Sequence, residues 1–133
     1  MARTARSMKR ALETRLSQHN ITATQYIVLS LLCALDGISL SKLGQRLYFD
    51  NPTITGIIDR MERDGLVERR RIADDRRVIN IFLTHRGKEM LEENGSVADE
   101  IDDLAMNGLT ARERADFLKM LDKIWKTMNE KID

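Results

Sequence analysis

Cysteine, proline and tryptophan each occur once in these 133 residues, aromatic residues make up only 5% of them, and histidine occurs twice. A lone Cys33 leaves no internal disulfide to form and suits a reducing compartment, so a cytoplasmic protein is expected. Its place mid-helix on an apolar face reads as a small core residue. His19 and His85 stand far apart, without further metal ligands at a recognised spacing. Phosphate-binding glycine loops and nucleophile arrangements are also missing, so neither an enzyme nor a cofactor-binding protein is expected. The apolar runs are too short to span a bilayer, and Met1-Ala2-Arg3-Thr4 lacks the apolar core of a signal peptide, so no membrane partner is expected. What the chain does have is 42% hydrophobic and 32% charged residues, the balance of a folded globular protein. Its length suits one domain, or a small domain with an oligomerising extension.

The net charge of +1 hides a strong asymmetry along the chain. Residues 1–59 carry +3, residues 60–88 carry +4, and residues 89–133 carry −6. A basic middle fits contact with a polyanion, and an acidic tail keeps clear of it. On charge alone, solvated helix faces explain the pattern equally well, so the decision rests on where the basic residues fall.

Helix boundaries are well punctuated. Residues 4–18 are expected to form a first helix with a thin apolar stripe at Ala5, Met8, Leu12 and Leu16. Thr22 and Gln25 make a capping box for a second helix carrying Tyr26, Leu29, Leu32 and Cys33, which Asp36-Gly37 stops. Ile38 is a stub of strand, and Ser39 caps a short third helix with Leu40, Leu43 and Leu47. Asn51 is expected to cap the fourth helix, with Pro52 in its first turn, and Asp64-Gly65 to close it.

The fourth helix divides into two faces. At 100° per residue, Ile54, Ile57, Ile58 and Met61 point one way and must pack inward. The other side shows Thr55, Gly56, Asp59, Arg60 and Arg63, with Asn51, Pro52 and Thr53 at the leading end. Short polar groups can reach base edges, the glycine permits close approach, and the arginines suit phosphate or guanine. Ser39, Ser41 and Lys42 on the preceding helix are the candidate companions on the DNA side. A hairpin follows, with strands over Leu66–Arg71 and Val78–Thr84 around a turn of Asp74, Asp75, Arg76 and Arg77. Arg76 and Arg77 are candidate DNA contacts, and Asp75 is the candidate for orienting them. Taken one at a time, each of these residues also fits a plain role as a cap or a solvated charge. Together they give the expected fold: mainly α (α+β), a winged helix-turn-helix with N- and C-terminal dimerisation helices.

Beyond the hairpin, Thr84 is expected to cap a long helix carrying Met90, Leu91, Val97, Ala98, Ile101, Leu104 and Ala105. Thr110 and Glu113 form another capping box, and Phe117, Leu118, Leu121, Ile124, Trp125, Met128 and Ile132 continue the apolar stripe. Left exposed, this surface would exceed the apolar patches that monomers usually tolerate. A homodimer is therefore expected, with Met8, Leu12, Phe117, Leu121, Ile124, Trp125 and Met128 in its interface. The expected organisation is one domain over 1–133, with dimerisation helices at 1–20 and 88–133 around a DNA-binding lobe at 21–87.

The segment Pro52-Thr53-Ile54-Thr55-Gly56-Ile57-Ile58-Asp59-Arg60-Met61-Glu62, followed by Asp64-Gly65-Leu66-Val67-Glu68-Arg69, resembles the MarR family of bacterial winged-helix transcription regulators. The resemblance continues through Asp75-Arg76-Arg77 and Ile81-Phe82-Leu83-Thr84 to Gly87, and Thr22 to Leu29 is similar to that family's second helix. It implies a homodimer on a pseudo-palindromic duplex operator, with Arg77, or less favourably Arg76, in the minor groove. The chain departs from the family's frequent Asp-Pro before the wing tip, where it has Ile72-Ala73. It also lacks the cysteine near the start of the first helix through which some similar regulators sense peroxides. The resemblance further implies a cleft for a small aromatic or phenolic ligand. Arg15, His19 and Tyr26 are its candidate lining here, although solvent-facing and core roles suit them too. A dimeric repressor is the reading favoured by these residues; the alternative is a winged-helix interaction module that binds a protein or RNA partner without reading sequence.

Overall fold

A computed structural model describes residues 1–72 and 74–130, with the side chain of Asn129 left aside. Ala73 and Ile132 therefore lie outside the described residues. The chain forms two compact units, residues 1–97 and 98–133.

The first unit starts with α1 (Ala2–Leu16), which ends in a 3-10 turn over Ser17–His19, and continues into α2 (Ala23–Ala34). The Thr22 hydroxyl accepts from the Gln25 amide and the Gln25 side chain accepts from the Thr22 amide, both at 3.1 Å, so the expected capping box forms. After the two-residue β1 (Ile38–Ser39), the Ser39 side chain caps α3 (Leu40–Leu47) by accepting from the Lys42 amide. Next come α4 (Asn51–Arg63), the hairpin β2 (Val67–Ile72) and β3 (Asp75–Leu83), and α5 (His85–Glu93). The three strands form an antiparallel sheet in the order β1-β3-β2, with Ile38 opposite Ile81 and Val67 opposite Leu83.

Leu16, Val28, Leu29, Leu32, Leu43, Ile54, Ile58, Met61, Val67 and Ile81 are shut off from solvent, so every helix from α1 to α4 and the sheet contribute to one core. Burying each such side chain stabilises by about 1.5–3 kcal/mol. This fixes which face of α4 turns outward. Two glycines let backbones meet. A Cβ on Gly44 would lie 3.1 Å from the Ile54 side chain, so α3 and α4 pack closely there. A Cβ on Gly87 would lie only 2.1 Å from the Leu66 carbonyl oxygen, so the first turn of α5 docks directly on the chain leaving α4. Thr84 locks that junction, donating to the Gly65 carbonyl at 2.6 Å and accepting from the Gly87 amide at 3.0 Å.

Several expected boundaries move. Asp50, not Asn51, is the N-cap of α4, accepting from the Thr53 amide at 2.7 Å, and Asn51 is the first helical residue. Both residue types cap well; the side chain one position earlier has the reach to the third helical amide. The long helix after Thr84 is broken at Asn94–Ser96 into α5 and α6 (Val97–Met106). There the buried Asn94 donates back to the Met90 carbonyl, a local bond that competes with helix continuation. Cys33 is exposed rather than core: it shares a helical face with buried Tyr26 and Leu29, but it lies in the last turn of α2 beside exposed Ala34 and Leu35. Asp75, Arg76 and Arg77 belong to β3 rather than to the hairpin turn.

The second unit holds most of α6 and then α7 (Ala111–Glu130). The Thr110–Glu113 box forms as expected, with the Thr110 amide donating to Glu113 at 2.8 Å. Bonds from the Thr110 amide and then its hydroxyl hold the Glu113 carboxyl below the usual glutamate range. Phe117, Leu118, Met120, Leu121, Ile124, Trp125 and Met128 are exposed along α7. Among the described residues, no helix is long and apolar enough to cross a membrane.

Candidate nucleic-acid interface

The outer face of α4 is built by its two ends. At the start, the Thr53 side chain and then its amide bond to Asp50, holding that carboxyl below its ordinary value and leaving a fixed anion on the cap. At the other end, the Leu66 amide donates to Met61 and the Gly65 amide to Glu62, with Gly65 at φ +75°. These are the paired bonds of a Schellman stop, and the positive φ is one that glycine adopts without strain. Between these ends, Asn51, Pro52, Thr53, Arg60 and Arg63 are exposed, and Thr55 and Gly56 are half-buried. Nothing crowds Gly56: an added Cβ would meet only the Arg60 guanidinium, at 3.9 Å. Ser41 and Lys42 are exposed at the start of α3, and the Ser39 hydroxyl is engaged as its cap.

Sequence reasoning missed the connection between this helix and the wing. Arg69 of β2 donates to Asp59 at 2.6 Å and to Glu62 at 2.5 Å, both one turn apart on α4. Its backbone amide also donates to Glu62, and its guanidinium reaches the Thr55 carbonyl at 3.5 Å. Partial burial opposes the charge on Arg69, but the bonds to Asp59 and Glu62 outweigh it and raise the pKa. Charge-assisted bonds to two carboxylates at once set both the distance and the rotation between helix and hairpin. Two acids three residues apart on an otherwise cationic face were the available signal.

On the wing, Arg70 pairs with Glu68 and lies 4.5 Å over the Phe82 ring. Arg76 and Arg77 are exposed, and Asp75 accepts from the Arg77 amide at 3.0 Å, so its hold is on the backbone of that residue.

The candidate ligand residues do not share one environment. Arg15 and His19 are exposed, whereas Tyr26 is buried. A cavity of about 360 Å³ lies elsewhere in the first unit, lined by Asn20, Arg63, Asp64, Leu66, Arg86 and Met90. His85 is solvent-facing and pairs with Glu89 at 3.0 Å.

A family model described as MarR family matches residues 21–79, which cover α2 through most of the wing. The chain is 33% identical over 118 residues to the HTH-type transcriptional regulator FarR of Neisseria gonorrhoeae, covering 86% of this chain and 80% of FarR. The chain belongs to the MarR family. It is also 33% identical over 117 residues to the HTH-type transcriptional regulator TtmR of Methylorubrum extorquens, across 88% of this chain and 59% of TtmR. It thus spans about six-tenths of the length of several curated relatives it matches. Among solved structures, mutant MarR from E. coli complexed with operator DNA superposes with a TM-score of 0.85 at 28% identity, over 92% of this chain and 89% of that one. The winged-helix architecture of this MarR-family chain, with helices on both sides of the winged segment, is therefore the fold expected from its sequence.

Proposed function

We propose that this chain is a sequence-specific, double-stranded DNA-binding transcription regulator, acting in the cytoplasm as a homodimeric repressor on a pseudo-palindromic operator. The observation that carries the reading is the Arg69 bridge to Asp59 and Glu62, which makes a polar helix face and an arginine-bearing hairpin one rigid unit. Thr53, Thr55 and Gly56 then meet base edges in the major groove, with Asn51 and Pro52 at the leading end of the helix. Arg60 and Arg63, with Ser39, Ser41 and Lys42 of α3, meet phosphates, and Arg77, flanked by Arg76, enters the minor groove. The operator-bound state of the E. coli relative supports the class of partner.

The dimer is assigned to the terminal helices, 1–20 and 88–133, around the lobe at 21–87. Its support is the exposed apolar set on α7, with Trp125 at 59% exposure, together with half-buried Met8 and Leu12 on α1. Release by a small aromatic or phenolic ligand completes the reading. The cavity beside Arg63 and Arg86 sets two cations over Leu66 and Met90 but also holds the Asp64 carboxylate, 3.5 Å from Arg63, so a flat anion there would compete with Asp64 for an arginine that DNA also needs. Selection of bound fragments from a random duplex pool tests the whole proposal. Recovery of a two-fold motif with half-sites about one helical turn apart is expected; recovery of no motif, with equal binding to every duplex, overturns it.

A further inference from the structure

Hairpin pairing is regular from Val67↔Leu83 to Arg71↔Ile79, and the next pair is Ile72↔Asp75. Arg76, Arg77 and Val78 thus stand in β3 with no partner opposite them among the described residues of β2, and all three are exposed. An unpaired bulge re-aims side chains, but on its own it leaves their direction loosely set. Here two side chains fix it. Arg71 donates through Nη1 to the carbonyl of Arg76 at 3.1 Å, and Asp75 accepts through Oδ1 from the amide of Arg77 at 3.0 Å. That carbonyl and that amide belong to one peptide unit, so the plane between Arg76 and Arg77 is gripped at both edges.

The three consecutive arginines of β2 therefore have separate tasks within the protein. Arg69 is bonded to α4, Arg70 to Glu68 and Phe82, and Arg71 to the bulge. We propose that Arg71 is a positioning residue, which holds the Arg76–Arg77 peptide so that the Arg77 side chain points into the minor groove, and is not itself a phosphate ligand. The inference rests on the DNA-binding reading and on Arg77 as the wing contact.

A double-mutant cycle separates aiming from direct contact. The probe is the duplex recovered by selection, titrated at several salt concentrations. Arg77→Ala is expected to weaken binding by roughly 5- to 150-fold. Arg71→Met is expected to weaken the wild type by about 5- to 10-fold, yet by less than about twofold in the Arg77→Ala background. Asp75→Ala, which frees the other edge of the same peptide, should show the same dependence on Arg77. A direct phosphate ligand behaves differently: its loss is equal in both backgrounds and removes roughly one further unit of salt slope. Equal losses, that extra unit, or an unchanged wild-type affinity in Arg71→Met would each overturn the proposal. An indifferent Arg77→Ala in a protein that still selects a motif would overturn it while leaving the DNA-binding reading intact. Failure to recover any motif would instead defeat the underlying reading. A fall in stability alone cannot mimic the expected result, because it would weaken both backgrounds alike.

Discussion

Gly56→Leu is the substitution that tests whether α4 reads bases. In the free protein the change is sterically open, since the nearest atom to a new Cβ is the Arg60 guanidinium at 3.9 Å. Glycine in a helix interior costs about 0.8–1.0 kcal/mol relative to alanine, and leucine far less. The mutant should therefore be more stable by roughly 0.5–0.8 kcal/mol, or about 2–4 °C in Tm for a chain of this size. Bound to DNA, the same side chain has nowhere to go. A helix with its side chains is about 10–12 Å across and the major groove about 12 Å wide, so the added leucine side chain in mid-face holds the axis away from the base edges. Misreading one base pair costs about 1–3 kcal/mol, so losing the readout of two lowers specific affinity by roughly 30-fold to 20,000-fold. Phosphate contacts survive such a displacement better, leaving weak binding that falls steeply with salt. Anisotropy titrations against the selected duplex and a scrambled one, with thermal unfolding by circular dichroism, measure all three effects. A Gly56→Leu protein that folds and still prefers the selected duplex would show that this helix is not the reader.

Four further outcomes follow from the same geometry. Arg63→Ala should weaken selected and random duplexes alike and lower the salt slope by up to roughly one unit, because this exposed arginine, paired with Asp64 in the free protein, is proposed to meet phosphate; a loss confined to the selected duplex would assign it to a base. Gly87→Ala should destabilise by at least about 2 kcal/mol, as its Cβ would lie 2.1 Å from the Leu66 oxygen; unchanged thermal unfolding would mean that the α4–α5 junction yields easily. The lowered pKa of Asp50 means that its cap contributes fully at neutral pH and is lost as pH falls through the folded-state value, below the ordinary aspartate range. Asp50→Asn should flatten that acid slope, and an identical slope would remove Asp50 from the cause; Ile124→Glu should turn a dimer into a monomer by light scattering, and an unchanged mass would place the interface elsewhere.

What the sequence disclosed was largely periodic or local. The inward set Ile54, Ile57, Ile58 and Met61 follows from a 100° repeat, and all four are buried. The Thr22–Gln25 and Thr110–Glu113 boxes span three residues each, so their geometry is contained in the segment that encodes it. The readings that shifted depended on comparing neighbours. Asp50 and Asn51 are both good caps, and only the path of the turn from α3 decides between them, with Tyr48 at φ +57° before it. Cys33 shares a helical face with buried Tyr26 and Leu29, so periodicity alone did not reveal its exposure in the last turn of α2. The bridge from Arg69 to Asp59 and Glu62 was less accessible still, because it joins positions seven and ten residues apart across a turn. No single-element pattern carries that information.

This bridge also changes the meaning of charge in the basic middle of the chain. Counting residues treats Arg69, Arg70 and Arg71 as three cations available to a polyanion, whereas each has a partner inside the lobe. Arg69 bonded to both Asp59 and Glu62 adds no net positive field at a phosphate, since the two carboxylates more than offset its charge. Among the described residues, the exposed cations that the proposed reading sets against DNA are Lys42, Arg60, Arg63, Arg76 and Arg77, and of these Arg63 is itself paired with Asp64 at 3.5 Å. Fewer available cations imply a shallower salt dependence than the sequence charge suggests, at most about five units of slope per protomer if each releases one counterion. They also imply that more of the affinity must come from shape and base contacts. A lobe arranged this way uses Arg69 to set the angle between helix and wing, and under the proposed reading that angle determines whether Thr53, Thr55, Gly56 and Arg77 engage one half-site together.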